Sequence, residues 1–255
     1  MRLVDRVVDV LSCLQDEAGG LGVTEISERT GLPKSTVHGL LNALAGRALV
    51  VQEPLTQRYG LGLGLVRMAS VFLRERNLLL GVAQRHMERL RELSGETVCL
   101  HIPYGLERVC LAQVESCNSL RYTMEVGKPE PLYCGATGKL LLAYMPQEVV
   151  ERVIEVSGLV PLTPYTITDP VALRRELAHI RARGYAVSYE ERALLASAVS
   201  APLRDGHGQV VGCLTVYGPR ARLDEARVER LLPAVQSTAG DLSRAVAAPP
   251  PQRLT

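Results

Sequence analysis

The stretch VTEISERTGLPKSTVHGLLNALAGRAL, residues 23–49, decides how this chain is read. It breaks into two short helical segments, from Val23 or Thr24 to Thr30 and from Pro33 to about Ala45, with Gly31 where the chain reverses. Glycine suits that corner because it takes positive φ without a Cβ clash. Leu32 can plug the corner, and Pro33 fits the first turn of a helix, where its missing N–H costs no hydrogen bond. Val37, Leu40, Leu41 and Leu44 recur at helical spacing and form a buried stripe. Lys34, Ser35, Thr36, His38 and Asn42 are left outside it, near the end of the helix whose free amides favour anions. The pattern predicts a helix-turn-helix whose second helix enters a major groove.

A helical hairpin with glycine at its corner also serves as a plain packing unit, so the flanks carry the argument. Upstream, Val4, Val7, Val8, Leu11 and Leu14 predict an amphipathic third helix. Downstream, residues 48–52 and 57–61 read as two short strands joined through Pro54. Those strands form a wing, which sets Arg58 and Tyr59 beside the duplex backbone, with Arg47 a further cation at the end of the second helix. Three helices and a wing are far more specific than a hairpin.

Six stretches in order resemble the IclR family of bacterial transcriptional regulators: VDRVVDVLSCL, TGLPKSTVHGLLNAL, RYGLGLGLVRMAS, PEPLYCGATGKLLLAYMP, LTPYTITDPVALRRELAHIRARGYAVSYEE and APLRDGHGQVVGCLTVYGP. Together they span nearly the whole chain. The resemblance implies a winged helix-turn-helix, a linker helix and a GAF-like effector-binding domain with an antiparallel sheet, an α+β protein overall. Family members usually carry Arg where Gly39 stands, so Lys34, His38, Arg47 and Arg58 must supply more of the phosphate attraction.

Composition agrees. A chain of 255 residues that is 47% hydrophobic suits one small and one medium soluble domain. Its net charge of +2 excludes a strongly basic nucleic-acid domain, so DNA affinity has to come from a local patch multiplied by oligomerisation. The N-terminus has charges where a signal peptide needs a continuous apolar core, and no stretch reaches the roughly 18 apolar residues of a membrane span. A cytoplasmic protein is expected, with Cys13, Cys99, Cys110, Cys117, Cys134 and Cys213 as free thiols and no metal motif among its scattered histidines.

The expected domains are residues 1–62 for DNA binding, 63–78 for the linker, 79–247 for the second domain and 248–255 for a disordered tail. Leu65, Met68, Ala69, Phe72 and Leu73 share one face of the linker, which packs either on a second subunit, to make a homodimer or homotetramer, or on its own second domain. Beyond a helix over 80–93, strands are expected at 97–102, 108–114, 120–126, 185–189, 196–203 and 210–217. Asp169 and Pro170 open a helix that Gly184 closes, and a last helix covers 223–246.

In the second domain the chemical interest lies in LYCGATGKL, residues 132–140. Gly135, Ala136, Thr137 and Gly138 open a helix whose first amides stay approachable and can hold a carboxylate. A nucleotide P-loop is excluded, since it needs Gly at Tyr133 and Ser or Thr at Leu140. The resemblance implies an effector pocket with amide donors at Ala136 and Thr137 and a polar lining of Ser188, Thr215 and Tyr217. Where relatives that recognise very small acids have Asp, Cys and Ser, this chain has Ser188, Ala198 and Tyr217, and Leu195 replaces a usual Gly. Tyr122, Tyr133 and Tyr189 can add rings, although strand alternation lets only one of Ser188 and Tyr189 face inward. Compared with those relatives, the expected pocket has less fixed charge and more aromatic wall, suited to a larger organic acid or an aromatic compound.

No cofactor is expected. Nor is an enzyme: there is no G-x-S-x-G elbow and no H-E-x-x-H, Asp205 and His207 sit in a Gly-rich turn, and Glu190 and Glu191 read as opposite faces of one strand. The remaining alternative is a DNA-binding protein whose second domain only oligomerises.

Overall fold

A computed structural model describes the backbone of residues 3–15, 17, 19–74 and 77–247, and their side chains other than those of 71–81. The chain divides into two compact units, Met1–Asn77 and Leu78–Thr255.

The first unit holds helices α1 (Leu3–Cys13), α2 (Val23–Thr30) and α3 (Lys34–Ala45), strands β1 (Val50–Gln52) and β2 (Tyr59–Leu61), and helix α4 (Leu63–Arg74). Gly31 closes α2 at φ 67°, in the left-handed region the sequence asked of it. The Ser27 hydroxyl then donates to the Leu32 carbonyl at 2.6 Å, which locks the corner and drives Leu32 into the core. Pro33 stands one position earlier than expected, as the cap of α3, and its carbonyl accepts from Val37 N–H at 3.0 Å. All four stripe residues of α3 are buried.

Three expectations for this unit change. In α1 Val10 is buried, as is Leu14 just after the helix, while Val4 and Val8 are 69% and 53% exposed, so the apolar arc is wider than the face it packs with. The wing strands are three residues each because Ala48 and Gln57 adopt positive φ, which takes both out of extended geometry. On α4, Leu65 is half-buried but Met68 and Ala69 are exposed; Phe72 and Leu73, like the expected tail, lie outside the described residues.

The second unit is a six-stranded antiparallel sheet of order β5-β4-β3-β8-β7-β6. Its strands are β3 (Thr97–Tyr104), β4 (Glu107–Val114), β5 (Pro129–Pro131), β6 (Ala186–Tyr189), β7 (Ala196–Arg204) and β8 (Val210–Pro219). Period-two alternation splits it cleanly. Cys99, Ala198, Cys213 and Tyr217 face a layer made by α6 (Gly135–Ala143), α7 (Gln147–Ser157) and α8 (Pro170–Arg183). Val98, Leu100, Val199, Leu214 and Val216 face α5 (Asn77–Ser94) and α9 (Glu225–Ala247). With both faces covered, the strands are apolar almost throughout, which is why they stood out in the sequence.

The capped helix is as expected: the Asp169 carboxylate accepts from Val171 and Ala172 N–H at 3.1 Å each, and Gly184 ends α8 at φ 77°. The expected strand over 120–126 is instead a loop, joined to the sheet by one bridge between Cys110 and Val126. There the Met124 N–H is met by the Gln113 side chain at 2.8 Å, so the segment has no ladder, although Met124 itself is buried. Sequence periodicity also passed over α7.

Helix α6 lies hard against the strand before it. A Cβ built on Gly138 falls 2.7 Å from the Leu132 carbonyl oxygen and 2.9 Å from that of Pro131. Since both obstacles are backbone, Gly138→Ala is expected to cost about 1–3 kcal/mol in urea unfolding, with an unchanged m value.

Candidate functional site

On the first unit, the polar side of α3 is open. Lys34, Ser35, His38 and Asn42 are exposed, Thr36 is half-buried, and no side chain caps the helix start, so its first amides remain free to meet a phosphate. Asn42 Nδ2 and His38 Nδ1 lie 3.2 Å apart, one turn from each other, and form a joint hydrogen-bonding pair on that face. Arg47 lines a depression with Gly64, Arg67 and Met68, which adds Arg67, a cation the sequence reading passed over.

Two wing residues are reassigned. The Tyr59 side chain is 3% exposed and belongs to the hydrophobic core; its backbone pairs with Leu21 at 2.8 Å in both directions. A Tyr on a three-residue strand alternates inward when its neighbours must cover a small core, and Tyr59 is that inward residue. Arg58 is turned back on the domain: its Nε donates to the Gly20 carbonyl and its Nη2 to Glu25, each at 3.0 Å. That hydrogen bond and one from Gly22 N–H hold the Glu25 carboxyl below its usual range.

In the second unit, a cavity of about 20 Å³ sits at the start of α6, room for one or two waters. Arg108, Tyr122, Met124, Gly135, Ala136, Ser188, Arg192, Ala193, Ala196, Ser197, Ala198 and Tyr217 line it. Ser188 does face inward, and Tyr189 points to the other layer, where Arg220 stacks 4.3 Å from its ring centre. Six of the nine expected residues thus meet here: Tyr122, Gly135, Ala136, Ser188, Ala198 and Tyr217.

The other three do different work. Thr137 and Thr215 are fully buried behind the wall, their hydroxyls 3.0 Å apart, with Ser200 2.7 Å from Thr215 and the Tyr217 hydroxyl on Thr137. They position Tyr217 rather than line the cavity. Tyr133 donates its hydroxyl to the Val160 carbonyl at 2.7 Å and lines a separate depression with Tyr104, Leu106 and Val153.

The wall also carries fixed charge that the sequence reading did not place. Arg108 on β4 is 1% exposed, and with Arg192 it supplies two guanidinium groups to the wall. Arg108 Nη1 stands 2.9 Å from the Glu130 carboxylate, which also pairs with Arg192. Burial, and after it the neighbouring Arg108, lower the Arg192 pKa. His101 is fully buried beneath them, 5.9 Å from the Tyr217 ring, and burial and the two arginines push its pKa well down, so it is the neutral imidazole. Sequence reading missed Arg108 because a charged residue in an apolar strand looks like an edge position.

Glu190 and Glu191 are not a strand pair: β6 stops at Tyr189, and Glu190 has φ 59°. Glu191 is buried, pairs with Lys139 and accepts from Gly135 N–H at 3.2 Å, so it takes the first amide of α6 and leaves those of Ala136 and Thr137. Thr163 and Thr166 hydroxyls hold the carbonyls of Glu190 and Glu191, at 2.6 Å each, and Tyr122 holds that of Leu194 at 2.8 Å. Leu195, at φ 61°, occupies the conformation that a Gly takes freely. All six cysteines are free thiols. Among the described residues no group of three or more His, Cys, Asp or Glu side chains is placed to hold a metal ion, and no helix is long and apolar enough to cross a membrane.

A winged helix-turn-helix with an open recognition face, carried with a second domain that has a cavity at the start of α6, defines a DNA-binding transcriptional regulator. The chain belongs to the IclR family: residues 3–54 match the IclR helix-turn-helix domain, and residues 73–244 match the bacterial transcriptional regulator IclR C-terminal domain. It is 35% identical to the HTH-type transcriptional regulator BhcR of Paracoccus denitrificans over 95% of this chain and 86% of that one. The Thermotoga maritima IclR crystal structure matches with a TM-score of 0.78 at 29% identity, over 96% of this chain and 98% of that one. An IclR homologue from Microbacterium hydrocarbonoxydans, solved with 4-hydroxybenzoate, matches with a TM-score of 0.78 at 26% identity, over 97% of this chain and all of that one. These relatives are regulators, not enzymes.

Burial raises the Cys134 thiol to about 11 and the Cys213 thiol to about 12, from 9.0, and the Tyr217 phenol to about 12 from 10.0. Each group binds its proton more tightly folded than unfolded, so its contribution is complete below the unfolded value and is lost as pH rises through the folded one. Urea unfolding of the second unit from about pH 8 to about pH 11 should therefore show falling stability, and Tyr217→Phe should flatten the upper part of that fall. A flat profile in the wild type contradicts the assignment.

Proposed function

We propose that this regulator is a one-component switch, in which a small organic acid in the α6 cavity sets how well paired recognition helices fit operator DNA. The observation that carries the reading is the cavity wall: two arginines, the start of α6 at Ala136, Ser188 and Tyr217 meet around one cavity. Tyr122, Met124 and Tyr217 give the remainder an aromatic and soft apolar lining, which suits an aromatic or branched acid. The related protein solved with 4-hydroxybenzoate supports the same size class.

The protein acts in the cytoplasm as a homodimer or homotetramer on a two-fold operator, because one α3 with few cations gives too little affinity alone. Residues 63–78 couple the two sites, with a coupling free energy of about 1–3 kcal/mol. The smallness of the cavity favours one rival, a second domain that only oligomerises.

A gel shift on the gene's own upstream region, with a panel of organic acids, separates the two. Some acid should change DNA affinity, and by reciprocity the operator should change that acid's affinity by the same factor; no response to any acid leaves the rival standing. Stabilisation only by two- or three-carbon acids would remove the aromatic-ligand idea.

The DNA face gives its own outcome. Lys34→Ala should weaken operator binding and reduce the slope of log K against log salt by about 0.9, and Gly39→Arg should steepen it by a similar amount. Unchanged slopes in both variants would place the duplex elsewhere.

A further inference from the structure

Glu130 is the middle residue of β5, the three-residue strand at the sheet edge, and pairs in register with Arg108. Its two oxygens reach both arginines of the cavity wall. This is a poor match of charge and donors. Arg108 Nε donates to the Pro131 carbonyl at 3.2 Å, but its Nη1, although ion-paired with Glu130, has no aligned hydrogen-bond partner among the described residues. The Nη1 of Arg192, whose side chain is one-third exposed, meets the Met124 sulfur at 3.9 Å. Two forked guanidiniums share one carboxylate where each can take a carboxylate of its own.

The other ionic groups nearby do not make up the difference. Glu191 is committed to Lys139 and to Gly135 N–H, and His101 is neutral. The wall therefore holds one positive charge in excess, with an unused donor of Arg108 beside a cavity. A buried charge left short of partners is costly, and an arriving anion relieves it.

We propose that Glu130 is a resident stand-in for the effector's carboxylate: an acid binds by taking Arg192 away from Glu130, which keeps Arg108. Each guanidinium then has its own carboxylate, and the excess charge is cancelled. This rests on the acid-effector reading above and adds which group the ligand competes with and which part moves. Arg192 sits between Glu190 and Leu195, both at positive φ, in a segment whose carbonyls are pinned by Thr163, Thr166 and Tyr122. Its change of partner pulls on that segment. A neutral compound of the same shape has no charge with which to compete.

The test uses the full-length protein, with acetate, benzoate and 4-hydroxybenzoate against acetamide, benzamide and 4-hydroxybenzamide at constant ionic strength, read by titration calorimetry and thermal shift. Glu130→Gln keeps the side chain's shape while removing its charge, and should bind the acids about tenfold or more tightly than wild type, with the amides unaffected. Arg192→Gln should lose the acids. Glu130→Asp, which keeps the charge but shortens the reach, should fall between wild type and Glu130→Gln and serves if the latter does not melt cooperatively. Acids bound no more tightly by Glu130→Gln, or amides bound as well as acids, would overturn the proposal; so would the absence of acid binding in every variant. An acid that releases operator DNA from wild type and binds Glu130→Gln with equal affinity would remove the stand-in and keep the regulatory reading. Acids that bind Glu130→Gln more tightly but never alter DNA binding would do the reverse.

Discussion

A sheet covered on both faces has no solvent into which to turn a polar side chain. Every hydroxyl, thiol or charge that points from β3, β4, β7 or β8 toward α6 must find a partner inside the protein or bear the cost of burial. That constraint organises the second unit. It links Thr137, Thr215, Ser200 and Tyr217 into one hydroxyl chain, it ties Lys139 to Glu191, and it makes Arg108 and Arg192 share Glu130. Where the accounts close, the layer is ordinary core. At Arg108 Nη1, where they stay open, the wall borders a cavity, and the ring nitrogens of His101 also lack a partner among the described residues.

The first unit lives under the opposite condition. Its core is small, and it spends every large apolar side chain of α3 on that core, so among the described residues the polar side of the helix is left exposed. The wing is more committed than a surface feature need be. Tyr59 is drawn inside, and Arg58 clamps Glu25 and the Gly20 carbonyl, so the strands serve the fold before they serve a duplex. That leaves the exposed polar side of α3, with Arg47 and Arg67 exposed beyond its C-terminal end.

What sequence could show follows from how local each signal is. Gly31, Asp169 and Gly184 act on their immediate neighbours, and their turns and caps were legible at once. The alternation that sends Ser188 inward and Tyr189 outward was equally local. The cavity wall was not. Arg108 and Glu130 meet across a strand pair and Arg192 arrives from 62 positions beyond Glu130, so no window of sequence contains the cluster. Tyr133 and Thr215 misled for a related reason: composition tells that a Tyr or Thr lies near a site, whereas its partner, the Val160 carbonyl or the Thr137 hydroxyl, tells whether it faces the ligand. The loop read as a strand over 120–126 had the right residues and no neighbouring edge to pair with.

Gly39 stands on the exposed side of α3, and a Cβ built there meets nothing within 4 Å. A glycine inside a helix gives up about 1 kcal/mol against alanine. The fold asks for nothing at this position, so any side chain can be installed without disturbing the domain beneath it. Descendants of this chain can thus change which operators they answer to, one replacement at a time, while the machinery that senses the metabolite is inherited intact.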